Sequence, residues 1–540
     1  MFKLMRSVVL LLAFALIAAA CSSAPPVDAN ATAVLSSSAT REDAGSFADV
    51  AGDDGAGDDP TDDASNGSSN ADEGNGEPTE VDRTPTLSTD APQTSGADDT
   101  GTTSADAAET ATSSEATDRI DAFEEDLEDA SDEVDAAVAL TNDLGDRIVG
   151  GVIGEAGTLQ DGCVAPSHSG LTDAPTWVVD ALEAAVRHPD FADLDVGVSV
   201  WIDGWGEVVT RDPDLPLVPA SNEKILVAHA ANELIDPSST LDTTVELLGA
   251  DLVLRAAGDP TFTTGRANEL VAQVAAAGVT SAERLIIDVS DFPQPSAAPG
   301  WQSWQIRNFV GPLSGLMLDD NRWNTSDEFL ESPALLNGEW FAGALRNAGI
   351  AIGTVEVGSA RPGTIVGTSA SAPVGTLVRD MMLFSDNQIA DMMTLQLGLV
   401  EGQGTLEDGI AQIERELAEL CVPLAGVMDD GSGLSRSNFR SAREFQEILR
   451  AIRDSDTADV FESQLPIGGV SGTLGRRFGG DAGRVQAKTG TIFGGRALSG
   501  YATTDSGRDA VFSIIINGER DATSASLGAL DAFVRTILRS

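Results

Sequence analysis

The stretch VPASNEKILVAHAANEL, Val218 to Leu234, carries Lys224, one of only three lysines in a chain of 540 residues. Lys3 lies near the N-terminus and Lys488 sits in VQAKTGTIFGG; otherwise the chain uses arginine. A helix opening at Ser221 puts Lys224 one turn further along the same face, where its nitrogen can meet the serine oxygen. A serine hydroxyl is a poor nucleophile until a base takes its proton. A lysine amine can be that base once burial and nearby positive charge lower its pKa, whereas arginine keeps its proton. The bland alternative is an N-capping serine followed by a surface lysine. The scarcity of lysine disfavours it.

Two further stretches carry similar chemistry. LFSDNQIAD holds Ser385, Asp386 and Asn387, and reads as a turn between two helices. The hydroxyl suits a proton relay and the amide suits a substrate peptide group, although Ser, Asp and Asn are also ordinary turn residues. AKTGTIFGG holds Lys488, Thr489, Gly490 and Thr491. On a strand beside a cleft these supply a cation, hydroxyls and a backbone that a substrate can approach closely. An edge-strand lysine is the plain alternative.

Around these motifs the composition is extreme, with 86 acidic and 32 basic residues and a formal net charge of −54. So acidic a chain is a poor partner for nucleic acid, which needs a basic surface. His168, His188 and His229 are scattered without ligand spacing, so no metal site is expected. Residues 1–20 read as an export signal: Lys3 and Arg6, then an apolar run, then Ala18, Ala19 and Ala20 before Cys21. This resembles a bacterial lipoprotein signal with Cys21 as the lipidated residue; a plain secretory signal cut near Ala20 is the alternative. Residues 21–116 are rich in Asp, Ser, Thr, Gly and Pro and poor in large apolar side chains, the composition of a disordered acidic tether. A flexible chain of that length reaches on the order of 50–60 Å. Residues 117–148 read as an amphipathic helix, with Ile120, Phe123, Leu127, Val134 and Val138 near helical spacing. In an oxidising compartment Cys163 and Cys421 can pair, and the sequence leaves that open.

The globular part is expected over residues 175–540. TWVVDALEAAVRH reads as a helix and DVGVSVWIDGWGEVVTRDP as a hairpin turning near Asp203 and Gly204. A block from about 240 to 372 reads as short strands and loops after RANELVAQVAAAGV, a helix, and ERLIIDVS, a strand. Helices follow until GRVQAKTGTI, then a strand pair and a last helix. Helix and strands first, sheet strands last and a closing helix imply a split α/β domain with material inserted in its middle.

Ser-x-x-Lys, Ser-x-Asn and Lys-Thr-Gly in this order are the signature of penicillin-binding proteins and serine β-lactamases. VPASNEK, AAGDPTF, DDGSGLSRSN (residues 429–438) and LPIGGVSGTLGRRF (residues 465–478) resemble stretches of low-molecular-mass penicillin-binding proteins of the D-alanyl-D-alanine carboxypeptidase/endopeptidase type. The resemblance covers roughly residues 175–539. It implies an α/β (α+β) transpeptidase-like domain: an antiparallel sheet flanked by helices, an all-helical lobe, and a subdomain inserted between the first two motifs. The step from Ser221 to Ser385 is short for a full-sized member, so a trimmed insertion is expected. Carried over, Ser221 is the acylated nucleophile and Lys224 its base. Ser385 relays the proton, Asn387 positions the acyl donor and Lys488 supports Ser385. Thr489, Gly490 and Thr491 bind substrate, with backbone N–H groups of Ser221 and Thr491 as oxyanion hole. The implied partners are peptidoglycan stem peptides and β-lactams as covalent inhibitors, with no cofactor. The implied place is the cell envelope, with the membrane reached only through an N-terminal lipid anchor. A β-lactamase or esterase on the same fold, or a silent wall-binding lipoprotein, are the rival readings. Carboxypeptidase and endopeptidase activity, and the oligomeric state, are not separated by sequence.

Overall fold

The computed structural model describes Cys163 and residues 173–540, apart from 294–296 and 325. The expected export signal, Cys21, the acidic tether and the amphipathic helix over 117–148 lie outside the described residues.

Helix α1 (Thr176–Val186) leads into a hairpin of β1 (Asp195–Ile202) and β2 (Gly206–Arg211). The chain turns there at Gly204, whose φ of 76° suits glycine. A 3-10 turn over Ala220–Glu223 runs into helix α2 (Lys224–Leu234). Residues 242–370 then make a unit with its own sheet: β3 (Asp242–Leu248), β4 (Asp251–Arg255), helix α3 (Thr264–Ala276), β5 (Ser281–Asp288), helix α4 (Pro333–Asn347), β6 (Ala351–Val357) and β7 (Thr364–Ala370). Helices α5 (Val374–Phe384), α6 (Asn387–Gly398), α7 (Leu406–Glu419), α8 (Ala442–Arg453) and α9 (Ala458–Gln464) follow. The last elements are β8 (Val485–Ile492), β9 (Gly495–Thr503), β10 (Asp509–Asn517) and helix α10 (Leu527–Leu538).

The first sheet has the order β2-β1-β10-β9-β8 and is antiparallel throughout. The first and last strands among the described residues therefore share one sheet, with β1 paired to β10 from Asp195↔Asn517 to Ile202↔Ala510. Val196, Val198, Val200 and Ile202 point into a core closed by α1 and α10. The other face packs against α8. Helix α2 is buried from Lys224 to Ala231, which its apolar run allows on every side. It forms the centre of a helical lobe with α5, α6 and α7.

The inserted sheet has the order β6-β5-β4-β3-β7 and is mixed, with β4–β5 and β5–β6 parallel. Helices α3 and α4 cover one face of it. Residues 333–347 correct the expectation of short strands and loops there, since they form the 15-residue helix α4. Gly338 and Asn337 weaken its local helix signal. Both are used in packing: a Cβ on Gly338 would lie 2.5 Å from Ile287 Cγ1 on β5. The Asn337 amide donates to Leu316 O at 2.8 Å and Asn321 Oδ1 at 2.7 Å. Tertiary packing overrides propensity here.

Cys163 and Cys421 form a disulfide with 5.2 Å between their Cα atoms. No helix among the described residues is long and apolar enough to cross a membrane.

Candidate active site

Ser221 lies in the 3-10 turn that enters α2, and Lys224 is the first residue of α2. Ala220, just before the serine, has a φ of 50°, a left-handed conformation that non-glycine residues rarely adopt. The spacing expected from the sequence is realised: Lys224 Nζ donates to Ser221 Oγ at 3.0 Å. It also donates to Asn387 Oδ1 at 2.8 Å and to the carbonyl of Ser432. Lys224 is fully buried. Burial pushes its pKa down to about 8, against the opposing pull of Asp391, Asp430, Asp386 and Glu223.

Ser385 is the left-handed cap that ends α5, with φ 60° and ψ 40°. Asp386 then caps α6, its side chain accepting from the Ile389 N–H at 2.9 Å. The Ser-x-Asn stretch is thus a corner between two helices that turns Ser385 and Asn387 to one side. Asn387 Nδ2 donates to Phe309 O at 3.2 Å, so the inserted segment also holds the amide.

Lys488 is buried on β8, the edge strand of the first sheet. Its Nζ donates to Ser385 Oγ and to Thr489 O, both at 2.8 Å. Burial holds its pKa well below the usual lysine range, and the charge on Lys224 adds to this. The outer edge of β8 is covered at its start, where Ala487 N–H reaches Pro466 O at 3.0 Å. Backbone groups alternate along a strand, so Thr489 and Thr491 direct their N–H groups to that same outer side. Gly490 lies against the serine turn: a Cβ there would sit 2.7 Å from Pro219 O and 3.2 Å from Ala220 Cβ. Only glycine lets β8 approach so closely. Thr489 Oγ1 donates to Thr473 Oγ1 at 2.8 Å, and Thr491 is exposed at the strand end. A cleft of about 450 Å³ opens beside Thr491, lined by Trp304, Phe309, Phe493 and Arg496 among others.

All five residues expected to be catalytic therefore meet in one place, and the three expected to bind substrate border it. Sequence reasoning gave no role to Gly431, Ser432 and Gly433. A Cβ on Gly433 would lie 1.9 Å from Ala220 O, and the φ of Gly433 is 79°. The signal for this loop was present in DDGSGLSRSN, but as a family stretch without a role. Among the described residues no cluster of His, Cys, Asp and Glu fits a metal ion.

A serine held by a buried lysine, faced by a second serine and a strand lysine at the edge of an antiparallel sheet, defines a serine acyl-transfer enzyme. Comparison with known proteins names the class. The D-Ala-D-Ala carboxypeptidase 3 (S13) family matches residues 178–329 and 329–537. The chain is 30% identical to carboxypeptidase DacB of Mycolicibacterium smegmatis over 415 residues, 70% of this chain and 88% of that one. It is 28% identical to a D-alanyl-D-alanine carboxypeptidase of an Actinomadura species over 438 residues, 64% of this chain and 81% of that one. In fold it is similar to penicillin binding protein 4 of Haemophilus influenzae, with a TM-score of 0.58 and 19% identity, covering 67% of this chain and 99% of the other. The chain belongs to the D-Ala-D-Ala carboxypeptidase 3 (S13) family.

Proposed function

We propose that Ser221 is the acylated nucleophile of this D-Ala-D-Ala carboxypeptidase and Lys224 its general base. The observation that carries the reading is the 3.0 Å contact between Lys224 Nζ and Ser221 Oγ, with the amine buried and its pKa lowered to about 8. Neutral Lys224 takes the proton as Ser221 Oγ attacks the carbonyl carbon of the penultimate D-alanine in a stem peptide. The N–H groups of Ser221 and Thr491 hold the oxyanion. Ser385, polarised by Lys488, passes the proton to the leaving nitrogen, and D-alanine or a cross-linked partner departs. Asn387 positions the acyl donor, while Thr489 and Thr491 hold the terminal carboxylate and Gly490 gives the substrate access. Water then hydrolyses the ester and frees Ser221.

Residues 175–540 act in this reading as the catalytic domain, with residues 240–372 as its insertion. The protein works outside the cytoplasm on peptidoglycan, held by a lipid on Cys21 and a flexible acidic tether. β-Lactams acylate Ser221 because their ring carbonyl occupies the place of the scissile amide.

The test is D-alanine release from a synthetic peptide ending in D-Ala-D-Ala, with Ser221→Ala alongside. Release by the parent and none by the variant supports the reading. Equal release by both contradicts it. A penicillin label lost within seconds points instead to a β-lactamase.

A further inference from the structure

Lys224 touches Ser432, and Ser432 is held from behind. The N–H groups of Gly431 and Ser432 both donate to Asp391 Oδ1 on α6, at 2.9 and 3.0 Å. The carbonyl of the same Ser432 accepts from Lys224 Nζ. Asp391 thus stands one residue behind the lysine, fully buried, and its second oxygen, Oδ2, has no hydrogen-bond partner. Its neighbour Asp430 is built differently. Both Asp430 oxygens are engaged, by Gly433 N and Asn438 Nδ2 at 2.7 Å, Ser435 N at 2.7 Å, Trp301 Nε1 at 2.6 Å and Ser432 Oγ at 3.1 Å. A carboxylate so fully bonded reads as the anchor of the loop. A buried carboxylate with one oxygen idle is costly and is retained for its charge or its proton.

We propose that Asp391 is a positioning residue for Lys224: through Ser432 it fixes the amine on Ser221, and by its charge it sets how readily that amine gives up its proton. This rests on Lys224 being the base. The charged groups around Lys224 are Asp391 and Asp386 from the α5–α6 region, Asp430 from the glycine loop, Glu223 from the serine turn and Lys488 from β8. Of these, Asp391 and Asp430 bond to the loop that the amine touches. Burial, the charge of Asp430 and the opposing charge of Lys224 leave Asp391 well above the usual carboxylate range. Asp391 and Lys224 therefore titrate as a pair. When Ser221 gives its proton to Lys224, an ionised Asp391 stabilises the ammonium; a neutral one does not.

The experiment uses Asp391→Asn, which keeps an oxygen for the two loop amides and removes the charge. The rate of acylation by a fluorescent penicillin is followed from pH 5.5 to 9.5. Loss of one neighbouring negative charge makes the ammonium easier to deprotonate and moves the acid limb down by about one pH unit or more, since at an effective dielectric near 20 an opposite charge within about 12 Å is worth at least that much. The plateau falls with it, because a less basic amine is a weaker base. Asp391→Ala also loses the loop bonds, so its rate falls at least tenfold at every pH. An Asp391→Asn limb that overlays the parent's overturns the proposal, since a purely structural aspartate would leave the limb in place. Should the variant not fold, the parent decides. Lysine labelled with 13C at Cε has only three positions in this chain. The Lys224 signal must then show two inflections, its own and that of Asp391; a single inflection overturns the proposal. That titration reads the pair even if penicillin does not label the parent, an outcome that would count against the function and not against the pairing.

Discussion

The chemistry proposed for Ser221 and Lys224 rests on burial. A lysine in water holds its proton up to about pH 10, and the same amine beside Ser221 holds it only to about 8. As the proposed base, Lys224 can act only when neutral, so acylation is expected to rise with pH through about 8 and level off above it. A pH profile of penicillin acylation checks this, and a profile flat from pH 6 to 9 contradicts it. Lys224→Arg keeps a positive charge without a usable base, so acylation falls on the order of a hundredfold or more. Glu223, beside the lysine, carries the opposite shift. Burial raises it to about 8 against the lowering pull of Arg440, and neither oxygen has a hydrogen-bond partner. The stability this proton lends is complete below about pH 4.5 and is lost as pH rises through 8. Glu223→Gln cannot ionise, so its melting temperature gains on the parent's between pH 5 and pH 8.5. Thermal melts at the two values read the difference.

At the scale of elements, the site is three local devices brought together: a 3-10 turn, a helix–helix corner and an edge strand. The first was legible because Ser-x-x-Lys is a local spacing that a single turn converts into contact. The corner was legible as a turn, though not the left-handed Ser385 that makes it sharp. The loop over Gly431–Gly433 was not legible as part of the site. DDGSGLSRSN carried no role for its glycines, whose reason is the close approach of Ala220 and Thr394 from distant stretches of chain. Helix α4 was missed for a related reason, since Gly338 looks like a helix breaker until Ile287 lies against it. Gly433→Ala tests the packing account. A Cβ would meet Ala220 O at a positive φ, so the variant loses about 2 kcal/mol or more and labels with penicillin more slowly. Unchanged melting and labelling would show that the loop yields without disturbing the serine turn.

At the scale of the molecule, the fold class was readable from order alone: hairpin strands near the start of the domain, sheet strands at its end, helices between. Pairing of β1 with β10 closes that sheet across the whole domain and sets β8 at its edge, where Lys488 meets Ser385. The parallel strands of the inserted sheet could not be read, because a strand's partner is not written in its own residues. Cys163 and Cys421 close a loop across 258 positions. By chain entropy such a link stabilises the fold by at most about 5.5 kcal/mol. Cys421→Ser therefore lowers the melting temperature while penicillin still labels Ser221, which a melt and a labelling gel check together.

The central claim is that Ser221 forms the acyl-enzyme, and mass spectrometry after exposure to benzylpenicillin tests it most directly. The parent is predicted to gain the mass of one benzylpenicillin, on the peptide that contains Ser221, and Ser221→Ala to gain none. An adduct mapped to another residue, or an equal gain by the variant, would contradict it.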